Sequence, residues 1–200
     1  PSTPFTNTGF TSMTFNGLTS VGNSGFAYCE KLVELNLPKV DTLKGYGCFS
    51  NCKSLRHLEL PCLTEMPSYS SSGTTYGMFN DCTSLECVTL GSKEHPFKTY
   101  YGLTGTSYYE ESWGKFYGCI NLKMINIVTE NGHYADVTFE RTSNFDQKFM
   151  VFTTEPLTVT NTSFVDSNNF EYLLTDSCAI LYKVPDGTTN IAVDAVQGLP

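Results

Sequence analysis

The stretch Phe49-Ser50-Asn51-Cys52-Lys53-Ser54-Leu55-Arg56-His57-Leu58-Glu59-Leu60-Pro61 decides how this chain folds, because its spacing is found in three other places. A Phe, a Cys, a Leu and two further aliphatic residues keep the same offsets in four copies. They are Phe26, Cys29, Leu32, Leu35, Leu37; then Phe49, Cys52, Leu55, Leu58, Leu60; then Phe79, Cys82, Leu85, Val88, Leu90; and Phe116, Cys119, Leu122, Ile125, Ile127. The phenylalanines lie 23, 30 and 37 residues apart, so the unit is 23 residues long and the later two spacings carry insertions of 7 and 14. Self-similarity on this scale marks a repeat architecture, in which each unit is one supersecondary element.

Each unit ends in an alternating run such as Val33-Glu34-Leu35-Asn36-Leu37, the period of a strand with one buried face. The part before it, Phe-x-x-Cys-x-x-Leu, has the three-residue spacing of tight turns. Pro38 and Pro61 close the first two strands, since proline has no N–H for a ladder; the third copy uses Gly91. A second apolar pair leads to the next Phe: Leu18 and Val21, Val40 and Leu43, Leu63 and Met66. Each unit therefore has a strand side and a return side. One unit buries too little to fold alone, so stacking is expected to put identical positions in columns about 4.8 Å apart.

The units resemble those of the BspA-like branch of leucine-rich-repeat proteins, whose pattern runs approximately Ala-Phe-x-x-Cys-x-x-Leu-x-x-Ile-x-Leu-Pro. Phe49 to Leu55 and Phe79 to Leu85 carry the resemblance most closely. The stretches Thr153 to Leu157 and Cys178 to Gly187 resemble the terminal module found behind such repeats. The expected fold is of the α/β class: a leucine-rich-repeat solenoid with a parallel β-sheet on one face, little regular helix and irregular return segments. We expect one domain over residues 1–200, with a partial N-terminal coil in 1–25 and four repeats in 26–127. Insertions fall at 67–78 and 92–115, and a divergent repeat and C-terminal cap occupy 128–200. The resemblance implies a surface or secreted bacterial role in adhesion and recognition.

Composition narrows the partners. Acidic residues outnumber basic ones, 20 to 12, giving a net charge of −8, which repels phosphate backbones and anionic lipid heads. Nucleic acid is therefore not expected as a partner, nor is membrane insertion, because no apolar run approaches the roughly 18 residues a span needs. The polar opening Pro1 to Thr6 lacks a basic end and an apolar run, as in a chain whose secretory signal has been removed. An extracellular or cell-surface location is expected.

Eight cysteines would suggest a disulfide framework, but Cys29, Cys52, Cys82 and Cys119 fall in one inward column with parallel Cβ directions, poor geometry for bridging. They are expected to be reduced packing groups. Neither a metal nor a cofactor is expected, since ligands lined up along an axis do not converge on one point. Cys48, Cys62, Cys87 and Cys178 lie off the column and cannot be paired from the sequence.

Two surfaces are candidates for binding. The second insertion gathers Tyr100, Tyr101, Tyr108, Tyr109 and Trp113 among Gly, Ser and Thr, the composition of a paratope. The outward positions of the strands, Glu34, Asn36, His57, Glu59, Thr89 and Asn126, form the second, concave candidate. The expected partner is a host protein or a glycan, and a structural or assembly spacer such as a phage-fibre repeat is the alternative. A catalytic reading has one foothold, a His57–Cys87 pair at equivalent positions of adjacent strands. No enzyme is expected, because an open sheet offers no oxyanion pocket.

Overall fold

In the computed structural model, residues 5–66, 77–101, 115–140 and 149–158 are described in full, together with the backbone of 159, 163–165, 171–174 and 180–183. The strand sides of successive units form β1 (Ser12–Thr14), β3 (Glu34–Asn36), β5 (His57–Leu60), β7 (Cys87–Leu90), β9 (Met124–Val128) and β11 (Met150–Thr153). Between them lie the return-side strands β2 (Ser20–Val21), β4 (Thr42–Leu43), β6 (Glu65–Met66), β8 (Thr99–Tyr101) and β10 (Thr138–Glu140). Every pairing among these strands is parallel, β1 with β3 and β5-β7-β9-β11 on one side, β2 with β4 and β6-β8-β10 on the other. The return segments are thus not irregular as expected. They carry a second set of short parallel strands, because their apolar residues also need equivalent neighbours in the next unit. The only helix among the described residues is a 3-10 turn, Tyr134–Asp136, so the expected α/β class reduces to strands and turns.

The register follows the repeat. Leu58, Val88, Ile125 and Met150 face one another across β5, β7, β9 and β11, as do Leu60, Leu90, Ile127 and Phe152. Phe26, Phe49, Phe79 and Phe116 are fully buried and stack nearly parallel at 5.8, 5.2 and 4.8 Å between ring centroids. Phe5 adds a fifth ring, 5.3 Å from Phe26. C-terminal to the repeats, β12 (Thr158–Val159), β13 (Ser163–Val165), β14 (Glu171–Leu174) and β15 (Ile180–Lys183) pair antiparallel in sequence order.

The corner that carries the column has its own chemistry. The N–H groups of Phe26 and Tyr28 donate to the carbonyls of Cys48 and Ser50, and those of Phe49 and Asn51 to Met78 and Asn80. To turn the chain between these bonds, the second residue after each Phe is left-handed: Asn7, Tyr28, Asn51 and Asp81 have φ of 57–59° and Gly118 has 75°. The turn brings each thiol beneath the previous unit. Cys29, Cys52, Cys82 and Cys119 donate to the carbonyls of Phe5, Phe26, Phe49 and Phe79 at 3.0–3.1 Å. Asn, Asp and Gly tolerate this conformation, whereas a bulky residue pays about 1–2 kcal/mol for it. Tyr28 is the exception and its side chain is exposed. Tyr28→Asn is therefore expected to stabilise the fold by about 1 kcal/mol, read as a rise in Tm.

A second local device closes the last described unit. Asp136 accepts hydrogen bonds from the Thr129 hydroxyl, the Asn131 and His133 amides and the Asn131 side chain, at 2.8–3.1 Å. Partial burial pushes its carboxyl up, but these donors outweigh that and hold it at about 2, against 3.8 for a free aspartate. The folded value lies below the unfolded one, so this contribution is complete above the unfolded value and fades as pH falls through the folded one. Acidifying from pH 5 to 2 should cost Asp136→Asn less stability than the parent chain, by on the order of 1 kcal/mol after solvent screening.

Candidate functional site

The two expected surfaces fare differently. Tyr100 is fully buried, in register with Met66 and Phe139 on β8, with its ring 6.4 Å from Phe97 and 6.0 Å from Phe139. It is a core residue of the return side and not a binding ring, a correction to the expectation. Its cause is visible in the pairs Leu18/Val21, Val40/Leu43 and Leu63/Met66: Phe97 and Tyr100 are the next such pair, three residues apart. Tyr101 follows on the same strand and is half-buried. Tyr108, Tyr109 and Trp113 lie outside the described residues.

The outward face of the strand side is open at one end and closed at the other. Glu34, Asn36 and Glu59 are exposed and His57 is half-buried. Thr89 and Asn126, expected to be exposed with them, are buried at 3% and 0%. The outward neighbours Cys87 and Met124 are buried as well, and the segment after β11 crosses this end. The Leu157 amide donates to Asn126 Oδ1 at 3.0 Å, while Asn126 Nδ2 donates to Thr153 Oγ1 at 2.8 Å and more weakly to the Val151 carbonyl. Asn126 is thus a buried clamp for the chain that covers it.

What stays open is a groove of about 580 Å³ over β1, β3 and the start of β5, with Ser12, Thr14, Glu34, Asn36, His57 and Glu59 along it. Ser12 and Thr14 escaped the sequence reading, although Ser12-Met13-Thr14 shows the same alternation as the later strands. Arg56 and His57, which line the groove at its β5 end, converge with Lys123 on Glu86 at 2.8, 3.3 and 3.6 Å. Burial raises the Glu86 carboxyl, but the Arg56 guanidinium, with Lys123 and His57, holds it below the usual carboxylate range. Arg56 and Lys123 are thus engaged with Glu86. Glu34 accepts a hydrogen bond from Ser12 at 3.2 Å, and among the described residues neither Glu34 nor Glu59 has an ion-pair partner. The groove is therefore acidic where it is open.

His57 and Cys87 occupy paired positions of β5 and β7, but their surroundings do not favour a thiolate. Cys87 is buried, which pushes its thiol up to about 12, and His57 Nε2 is directed to Glu86. Two column thiols keep their protons for a similar reason: Cys29 and Cys82 are raised by the next thiol along, Cys52 and Cys119, and by burial. Cys29, Cys48, Cys52, Cys62, Cys82, Cys87 and Cys119 are all free; Cys178 lies outside the described residues. Among the described residues, no three His, Cys, Asp or Glu side chains meet as metal ligands, and no helix is long and apolar enough to cross a membrane.

Parallel strands in register, a ring column and a thiol ladder define a repeat protein whose units bind one another through identical positions. A family model for the BspA type leucine rich repeat region matches residues 1–101 in 6 copies, and the chain belongs to that family. The match ends before Phe116, although the structure keeps that ring on the column. No curated protein and no solved structure was found to match the chain. Repeats of this type are typically those of bacterial surface proteins and are typically non-catalytic.

Proposed function

We propose that this chain is a non-catalytic binding module of a bacterial surface or secreted protein, a solenoid that takes a protein or glycan ligand on the open half of its concave sheet. The observation that carries this reading is the groove in which, among the described residues, Glu34 and Glu59 present carboxylates without ion-pair partners beside Asn36 and His57. A ligand with cationic groups or closely spaced hydroxyls suits such a surface, because carboxylates accept strong charge-assisted hydrogen bonds. Tyr101, Tyr108, Tyr109 and Trp113 form the second candidate surface, where aromatic rings would stack on a sugar or peptide.

Screening the pure protein on glycan and host-protein arrays, followed by titration of the best ligand, tests the reading. Glu34→Gln with Glu59→Gln is expected to weaken binding about tenfold or more, equivalent to about 1.4 kcal/mol, with Tm nearly unchanged because both side chains are exposed. If Tyr108→Ala, Tyr109→Ala and Trp113→Ala remove binding while the glutamine variant binds like the parent, the aromatic insertion is the site and the groove is not. Absence of any ligand on both arrays would count against a recognition module and favour the assembly role.

A further inference from the structure

We propose that Asn16 is a self-modifying site: in the folded chain its side-chain amide is converted to aspartate and isoaspartate through a cyclic imide formed with Gly17, while the chain's other Asn-Gly pair is held unreactive by its own hydrogen bonds. The two pairs are Asn16-Gly17 and Asn131-Gly132. Glycine favours ring closure because it has no Cβ to keep its amide nitrogen from the preceding side chain, and because its backbone turns freely. By sequence alone the two pairs are equals. Their surroundings separate them.

Asn16 follows β1 at the position that Pro38 and Pro61 hold in the next two units, and Gly17 stands where those units have Lys39 and Cys62. Asn16 and Gly17 are both exposed, and a Cβ at Gly17 would meet no atom within 4 Å. This exposure belongs to the corner and not to an end of the stack: Pro38, Lys39, Pro61 and Cys62 have a unit on either side, and none of them is buried. Among the described residues no hydrogen bond holds the Asn16 side chain or the Gly17 N–H. The Gly17 nitrogen and the Asn16 side-chain carbon are free to meet.

Asn131 is exposed too, but its pair is tied at each reacting atom. Gly132 N–H, the nucleophile, donates to Thr129 Oγ1 at 2.9 Å. Asn131 Nδ2, the leaving group, donates to Asp136 Oδ1 at 3.0 Å, and Asn131 N–H donates to Asp136 Oδ2 at 2.9 Å. Ring closure there must first give up a bond at the nucleophile and a charge-assisted one at the leaving group.

The chemistry at Asn16 needs only water. The Gly17 nitrogen attacks Asn16 Cγ, the N–Cγ bond forms, the Cγ–Nδ2 bond breaks, and ammonia leaves with the proton of the Gly17 nitrogen. Water then opens the ring. Its addition at Cγ gives aspartate, and its addition at the Asn16 main-chain carbonyl carbon gives isoaspartate, with the chain now running through the side chain. Nothing is oxidised or reduced, and either product adds one negative charge to the −8 of the chain. The corner has room for the extra main-chain atom. The same step takes 3 residues from Phe15 to Leu18 and from Leu60 to Leu63, but 7 from Leu90 to Phe97, where β8 still pairs with β6.

Incubating the 200-residue chain in mildly alkaline buffer and mapping its peptides by mass spectrometry tests the proposal. Amide loss at Asn16 is expected to be at least about tenfold faster than at Asn131 in the folded chain, and comparable at the two sites in denaturant. Isoaspartate-specific methyl labelling should fall on the peptide that holds Asn16, and the converted chain should elute as a more acidic species with the parent's circular dichroism. Gly17→Ala, whose methyl group has open space, should slow the reaction at Asn16 at least about tenfold. An Asn16 that keeps its amide in the folded chain while losing it in denaturant overturns the proposal. So does an Asn131 that reacts as fast as Asn16 in the folded chain, because its hydrogen bonds then give no protection. If Gly17→Ala leaves the Asn16 rate unchanged, water attacks the amide directly and the cyclic route is overturned.

Discussion

Replacing Phe79 by alanine is expected to cost about 3–5 kcal/mol, the range for buried aromatics, measured by chemical denaturation of the variant against the parent. Phe79 is fully buried and stacked between Phe49 at 5.2 Å and Phe116 at 4.8 Å, so truncation leaves a hole with rings on both sides. The damage reaches further than one site. Phe79 N–H donates to Lys115, and its carbonyl accepts the Cys119 thiol, so a shift of this corner loosens the junction between the third and fourth Phe-x-x-Cys units. In a stack whose units touch only their neighbours, stability is a sum of unit and junction contributions. A central loss is therefore expected to decouple the two halves, seen as a broader transition with a smaller m-value. An alanine variant that unfolds at the parent's midpoint would show that the column does not carry the stack.

The second large effect is expected at Asn126. Asn126→Leu keeps the volume but removes both the acceptor for the Leu157 amide and the donor to Thr153. Leaving a buried N–H unpaired costs about 1–3 kcal/mol and a lost buried hydrogen bond about 1 more, so a loss of about 2–4 kcal/mol is expected. Hydrogen exchange gives the sharper readout: the Leu157 amide should lose its protection while the amides of β5 and β7 keep theirs. Equal exchange at Leu157 in parent and variant would mean that the side chain does not hold the covering segment.

These two residues mark how much the sequence disclosed. Phe79 was legible, because a spacing repeated four times places it in a column without reference to anything distant. Strand register and the cysteine ladder were legible for the same reason. Asn126 was not. Its outward position in the alternation reads as solvent, and it is buried by a residue 31 positions away that no local period announces. Tyr100 lies between the two cases. The Phe97/Tyr100 pair repeats the spacing of Leu63/Met66, but the step from Leu90 to Phe97 is 7 residues where that from Leu60 to Leu63 is 3. That slip hid the pair in a Tyr-rich insertion. The cluster joins Glu86 to Arg56 and His57 of the unit before it and Lys123 of the unit after it, a convergence that only stacking creates.

The return-side corner before each Phe has a length that the column does not feel. From Leu43 to Phe49 the chain takes 6 residues, from Met66 to Phe79 it takes 13, and from Tyr100 to Phe116 it takes 16, yet the rings stay within 4.8–5.8 Å of their neighbours. Closing the longest of these connections instead of the shortest costs under about 1 kcal/mol of chain entropy. The corner is thus a port at which sequence can be added, exchanged or shuffled between relatives almost free of thermodynamic penalty. Diversification in this architecture is expected to enter there, and a foreign peptide grafted at the same point should be displayed without unfolding its host.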